Sequence, residues 1–273
     1  SRFFSTGYTT APERIAINSG RMKEIKFHAT CALIEHSQHG LIVFDTGYAP
    51  RFFELTSSWP QIIYALATPV ACEPEWSLAH QLQAKGIEAE SIRHLIISHF
   101  HADHIAGLKD FPQATFYCSR SGWKQIDQLN AFQGTRRGLL KGFLPDDFVQ
   151  RAQFFEDMPK RKRSDAFSEH VDLFDDGSIR IIDLPGHARG QIGAILNENS
   201  AAPQLLAADA YWLKASLEKN HLPAKIITVF IDSWQEYVDS FHKLQAYRTQ
   251  HPAVQFLSCH SPDVFDEWVE KVY

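Results

Sequence analysis

Cysteine and methionine are scarce in this chain, with four Cys and two Met among 273 residues. Cys31, Cys72, Cys118 and Cys259 stand far apart with no CxxC pair. This excludes a disulfide scaffold and fits reduced thiols, so a cytoplasmic location is expected. Long apolar runs are also missing. None approaches the roughly 18 residues that span a bilayer, so no membrane partner is expected. There is no excess of positive charge either: a net charge of −5 and a pI near 6.3 favour a small-molecule substrate over nucleic acid. The single basic run, Pro159 to Asp165, reads as a solvated loop. No G-x-S-x-G elbow, glycine-rich phosphate loop, short-period repeat or low-complexity tract appears. The chain opens on Ser1 rather than Met, which reads as a trimmed or processed start.

What remains is a composition able to bury a large core, 44% hydrophobic and 22% charged, expected to form one domain over residues 1–273. Histidine is abundant at 14 residues, and its placement is uneven. His28, His36, His39, His80, His94, His170, His221, His242 and His251 stand singly and read as surface or satisfied core residues. The stretch LIISHFHADHIAGL, residues 95–108, differs: a short β-branched run ends in His99, His101, Asp103 and His104.

His99 and His101 lie two apart and project to one side of an extended chain, whereas Asp103 and His104 fall where a helix begins. One tight turn cannot wrap all four side chains around a single ion, so two adjacent metal sites are implied. Other strand exits supply further donors. IRIIDLPGH leads to His187, QLLAAD to Asp209, and VQFLSCH to His260. Together they give His99, His101 and His187 for one metal, Asp103, His104 and His260 for the other, and Asp209 as a bridging carboxylate. Cys259 precedes His260 on a strand and reads as a buried thiol facing away.

The HxHxDH motif, the strand-Pro-Gly-His, the isolated Asp and the terminal strand-His resemble the metallo-β-lactamase superfamily. LIVFDTGY, residues 41–48, is similar to its early strand-Asp-Thr-Gly signature. The resemblance covers roughly Ile25 to His260 and looks most like the N-acyl-homoserine lactonase branch. It implies two divalent ions, zinc first, with iron or manganese as alternatives. It also implies a supporting role for Asp45, hydrogen-bonded near the ligands rather than coordinating. The branch's tyrosine, three residues past the bridging Asp, is Trp212 here, and Gln191 stands where a second His often follows.

A water held between two metals about 3.5 to 4 Å apart loses its proton near neutral pH and can attack a carbonyl, with Asp103 and Asp209 in the catalytic set. The expected reaction is hydrolysis of a lactone or other small ester. Glyoxalase-II-like thioester and phosphodiester hydrolysis are the competing activities, and a metal-binding module without turnover is the non-enzymatic alternative. A homodimer is one open arrangement. Tyr211, two residues beyond Asp209, is expected on the ligand side of an extended chain, donating to the substrate carbonyl or leaving oxygen, with Trp212 pointing away.

The secondary-structure pattern predicts strands at 25–36, 40–46, 93–99, 114–118, 191–197, 204–208 and 254–259, with a strand, turn and strand over 171–187. Helices are predicted at 75–86, 233–249 and 262–272. Burying both faces of that strand set calls for an α/β (α+β) four-layer αββα sandwich with the metals along one edge, which is also the fold the resemblance implies. Residues 120–170 read as a helical insert over the active site, serving as a substrate lid or as a packing elaboration.

Overall fold

A computed structural model describes residues 1–270. Strands β1 (Arg2–Pro12), β2 (Glu24–His36), β3 (Gly40–Phe44), β4 (Val70–Ala71), β5 (His94–Ile96), β6 (Thr115–Cys118) and β7 (Ala152–Phe154) form one sheet in the order β4-β1-β2-β3-β5-β6-β7. Strands β8 (Lys160–Lys162), β9 (Glu169–Asp172), β10 (Ile179–Asp183), β11 (Ile192–Leu196), β12 (Gln204–Leu206) and β13 (Gln255–Leu257) form the other, in the order β13-β12-β11-β10-β9-β8.

The alternation of side chains explains the layers. Ala32 and Ile34 of β2 and Ile42 and Phe44 of β3 point inward to meet Ile181, Ala194, Leu206 and Leu257 of the facing sheet. Leu33 and Val43, one residue out of phase, point outward to Leu78, Leu82, Ile105 and Leu108. On the far side, Ile182, Ile195 and Leu205 pack against Phe241 and Leu244 of the helix Trp234–Gln250. Strands apolar on both faces require a cover on each side, and the result is the expected αββα sandwich. Among the described residues, no helix is long and apolar enough to cross a membrane.

Several predicted elements shift. No strand is read before residue 25, yet β1 pairs along β2 in a register that breaks between Ser5 and Tyr8, around Gly7. That irregularity interrupts the period-two pattern which would have announced the strand. The helix predicted at 75–86 shortens to a 3-10 turn and Leu78–Gln83, and Gly86 turns left-handed after it at φ +75°. The closing helix ends at Trp268, and residues 271–272 of its predicted span lie outside the described residues.

The insert is helical only at first, through Arg120–Gln128, Ala131–Arg137 and Phe148–Arg151, after which β7 and β8 join the two sheets. The basic run is therefore a paired strand rather than a loop, with its first three cations exposed as expected and the fourth buried. Lys160–Lys162 pair with β9, and the Arg163 side chain, 6% exposed, lies between Asp165 and Glu198. A guanidinium with two carboxylates can be buried where an unpaired one cannot.

Candidate metal centre

The loop after β5 and the turn after β3 build the first half of the site together. Asp45, at φ 58°, directly follows β3. Its Oδ1 accepts from the Ser98 N–H at 2.8 Å, and its Oδ2 accepts from Ser98 Oγ at 2.7 Å and His104 Nδ1 at 2.8 Å. With Nδ1 donating, His104 aims the lone pair of Nε2 into the site. Thr46 donates from its N–H and its hydroxyl to the His104 carbonyl. Gly47 lies so close to Thr6 that a Cβ there would sit 1.9 Å from Oγ1, at a φ of +63° that disfavours side chains. The Asp-Thr-Gly run thus clamps the ligand-bearing helix Ala102–Ile105.

The second half arrives from the other sheet. Pro185-Gly186 carries the chain from β10 to His187, and Gly186 presses on the start of the helix Trp234–Gln250, where a Cβ would lie 2.0 Å from the Tyr237 N atom. Asp209 follows β12. His260 follows β13, donating from Nδ1 to the His28 carbonyl at 2.6 Å and leaving Nε2 facing inward.

Seven donors converge in two sets. His101 Nδ1 stands 3.0 Å from His99 Nε2 and 2.9 Å from His187 Nε2. Asp103 Oδ2 lies 3.8 Å from His104 Nε2 and 3.4 Å from His260 Nε2. Asp209 stands between the sets: Oδ1 is 3.4 Å from His104 Nε2, while Oδ2 is 3.1 Å from His187 Nε2 and 2.9 Å from His260 Nε2. All the residues singled out from the sequence as ligands are brought together.

Electrostatics agree with a cation site. Burial, reinforced by neighbouring imidazoles, holds His99 and His101 well below the usual histidine range, so both present neutral lone pairs. Burial also opposes the charged forms of His104, His260 and Asp209. It is outweighed there: the carboxylates, Asp209 first, raise both histidines, and His260, His104 and His187 hold Asp209 well below the carboxylate range. His104 Nε2 and Asp209 Oδ1 are buried without hydrogen bonds. Imidazole nitrogens facing one another at 2.9 to 3.0 Å, beside an orphaned carboxylate oxygen, form a donor set that divalent metals satisfy.

Tyr211 requires a correction. β12 ends at Leu206, and the chain then turns, with Ala208 left-handed at φ 47° and the Ala210 N–H on the Ala207 carbonyl. The turn breaks the two-residue parity. Tyr211, 1% exposed, falls into the outer core beside Phe241 and Leu244, where burial pushes its phenol up and its hydroxyl meets Ser258. Trp212 points the other way from expectation, its ring 5.8 Å from that of His187 and its indole N–H without a hydrogen bond.

A different phenol approaches the ligands from another element. Tyr64, in the helix Ile62–Ala67, lies beside His101: a Cβ on Gly138 would be 3.4 Å from the Tyr64 hydroxyl and 3.6 Å from His101 Cδ2. Its hydroxyl has no hydrogen-bond partner among the described residues. Nothing near Tyr64 in the sequence marks it, because its approach depends on Gly138 ending the helix Ala131–Arg137 and accepting from the Ala102 N–H at 3.1 Å.

Two further groups are structural. Cys259 lies behind His104 and Asp45, and burial pushes its thiol up to about 12, so it stays protonated. His36, His39 and Asp176 also cluster, but His36 Nδ1 accepts from two backbone N–H groups. Its Nε2 must therefore carry a proton, which it directs at Asp176 and Ser178, and this makes it a latch rather than a ligand.

A family model for the metallo-beta-lactamase superfamily matches residues 26–199. The chain belongs to the metallo-β-lactamase superfamily. Among curated relatives, the N-acyl homoserine lactonase AttM of Agrobacterium fabrum is 28% identical over 185 residues, covering 68% of this chain and 64% of that protein. AttM of Azorhizobium caulinodans is 26% identical over 255 residues, covering 92% and 88%. The superfamily fold recurs in solved structures. The Bacillus thuringiensis AiiA structure with bound N-decanoyl-L-homoserine aligns at a TM-score of 0.71 with 14% identity, covering 97% of this chain and 94% of that one. AidC, a dizinc quorum-quenching lactonase, aligns at 0.63 with 14% identity, covering 95% and 86%.

Proposed function

We propose that this protein is a dinuclear metal-dependent hydrolase that opens a lactone, of the acyl-homoserine-lactone type. The observation that carries the reading is the convergence of seven donors in two sets that share Asp209. His99, His101 and His187 would hold one ion, Asp103, His104 and His260 the other, and Asp209 both. Zinc suits this set of imidazoles and carboxylates, as iron or manganese also do. When bound, such a pair supplies a Lewis acid and a water acidic enough to react at neutral pH. The relatives named as lactonases support the choice of a lactone.

The chain's own residues supply the rest. Asp103 is the more open of the two inner carboxylates, its side chain 16% exposed against 3% for Asp209. It is placed to take the proton released as the carbonyl is attacked and to return it to the leaving oxygen. Tyr64 offers a free O–H at the rim of the first ligand set, where it can stabilise charge developing on the substrate oxygen. Trp212 covers the edge of His187 and limits the poses available to the ring being opened.

The test is a hydrolysis screen of the metal-loaded protein across lactones, thioesters and phosphodiesters, with metal content measured in parallel. Chelator-sensitive lactone opening at about two ions per chain is expected. Cleavage confined to thioesters or phosphodiesters would overturn the lactone assignment, and a stoichiometry below one after remetallation would overturn the dinuclear one.

A further inference from the structure

A cavity of about 380 Å³ opens over His101 and His187, two of the proposed ligands. One wall, from the helices Arg120–Gln128 and Ala131–Arg137, presents Gln125, Gln133, Arg136 and Arg137. Asp232 is the one carboxylate among the lining residues, and it is fully engaged. Its Oδ1 accepts from Gln125 Nε2 at 2.7 Å and Arg137 Nη1 at 3.2 Å, and its Oδ2 accepts from Arg189 Nε at 3.3 Å. Its backbone N–H also donates to the His187 carbonyl, so this cluster is tied directly to a ligand-bearing turn. Arg136 is exposed and has no carboxylate partner among the described residues.

The rim therefore carries surplus positive charge, although the chain as a whole has a net charge of −5. Leu129, Leu139, Phe230 and Ile231 line other parts of the cavity, but a neutral alkyl substituent laid along the polar wall would take water from guanidinium and amide groups and return no hydrogen bonds. A carboxylate would receive the planar fork of Arg136. The same charge would draw an anion past an otherwise acidic surface. We infer that the substrate of this centre carries a second, anionic group of the carboxylate class, which Arg136 receives at the rim while the scissile carbonyl lies over His101 and His187. The inference rests on the hydrolase reading and, within the lactone class, replaces the neutral acyl chain of the acyl-homoserine-lactone type by an anionic substituent. It assigns Arg136 as a specificity-determining residue, with Gln133 one turn away on the same wall.

A matched pair of substrates tests it: a γ-lactone bearing a carboxylate on the ring, and the corresponding carboxamide. The metal-loaded wild type should prefer the carboxylate by about tenfold in kcat/KM, the scale of one charge-assisted pair at a partly open site. In Arg136→Gln that ratio should fall toward one, through KM, while Arg136→Lys should retain part of it. A ratio unchanged by Arg136→Gln, or a wild-type preference for the carboxamide, would overturn the inference.

If neither lactone is opened, the lactone reading is left to the screen across lactones, thioesters and phosphodiesters, which judges it separately. The rim is then judged by calorimetric titration of the metal-loaded protein with glutarate. Binding about tenfold weaker in Arg136→Gln than in wild type supports the anion site, and equal binding removes it. Because Arg136 is exposed and makes no ion pair, the variant should melt with the wild type, so either result reads recognition rather than folding.

Discussion

The floor and the mouth of this site are made of different material. On the floor, donors leave the ends of β5, β10, β12 and β13, and five of the seven are buried, with His101 and Asp103 partly open. Their orientation is fixed by bonds behind them, from Asp45 to His104 and from the His28 carbonyl to His260. At the mouth, Tyr64, Arg136 and Trp212 come from short helices and a turn, are partly or fully exposed, and make few hydrogen bonds. The floor determines that a carbonyl or phosphoryl centre can be attacked. On the proposed reading, the mouth selects which molecule is held there.

If the contrast holds, substitutions on the floor should cost metal, and substitutions at the mouth should cost turnover or selectivity with the metal in place. The largest effect is expected at Asp209, which touches both donor sets. Asp209→Ala should lower metal content below two ions per chain and depress activity well beyond the roughly 10- to 100-fold associated with groups that only orient a ligand. Elemental analysis beside kinetics checks this. Retention of both ions would show that Asp209 does not bridge.

Asp45→Asn should come next, because it keeps the shape of the side chain but removes the charge that fixes the His104 tautomer. Metal affinity, read by competition with a chromogenic chelator, should weaken by about 10- to 100-fold. An unchanged affinity would mean that Ser98 alone can orient this side of the floor.

Tyr64→Phe tests the mouth. Only a hydroxyl is removed, so both ions should stay and kcat should fall by about ten- to a hundredfold, up to the lower end of what is seen when an oxyanion donor is lost. Loss of metal in this variant would erase the distinction between the regions. Intact turnover, with Trp212→Phe damaging instead, would give the donor role to the indole.

Legibility in the sequence follows the same division. The floor could be read because HxHxDH is local and because each remaining donor follows an apolar run within a few residues; strand exits along one edge of the two facing sheets then bring residues as distant as His99 and His260 together. The layers could be read because Leu33 and Val43 alternate with Ile34 and Ile42, and both sets are apolar. The mouth could not. Asn130, Gln133 and Gly138 do mark a capped helix, but no local signal says that its last turn faces the ligands. Tyr211 failed for a backbone reason, since the parity of an extended strand stops applying three residues before Asp209, where β12 ends and the turn through Ala208 begins.

That failure supplies the smallest predicted effect. Tyr211 lies on the opposite side of the turn from the donors, its ring against Phe241 and Leu244 and its hydroxyl on Ser258. Tyr211→Phe keeps the ring and its packing, so the cost is one buried hydrogen bond, about 1 kcal/mol. Ser258 Oγ still donates to the Trp212 carbonyl at 3.1 Å, which leaves the hydroxyl satisfied and the Trp212 backbone anchored beside His187. For a chain of this size the melting midpoint should fall by about 2 to 4 °C, while kcat, KM and metal content stay at wild-type values. The opposite pattern, a tenfold loss of kcat at an unchanged midpoint, would mean that the phenol reaches the substrate during turnover. The turn at Ala208 would then have to open in the working enzyme, and the boundary between floor and mouth would pass through Asp209 itself.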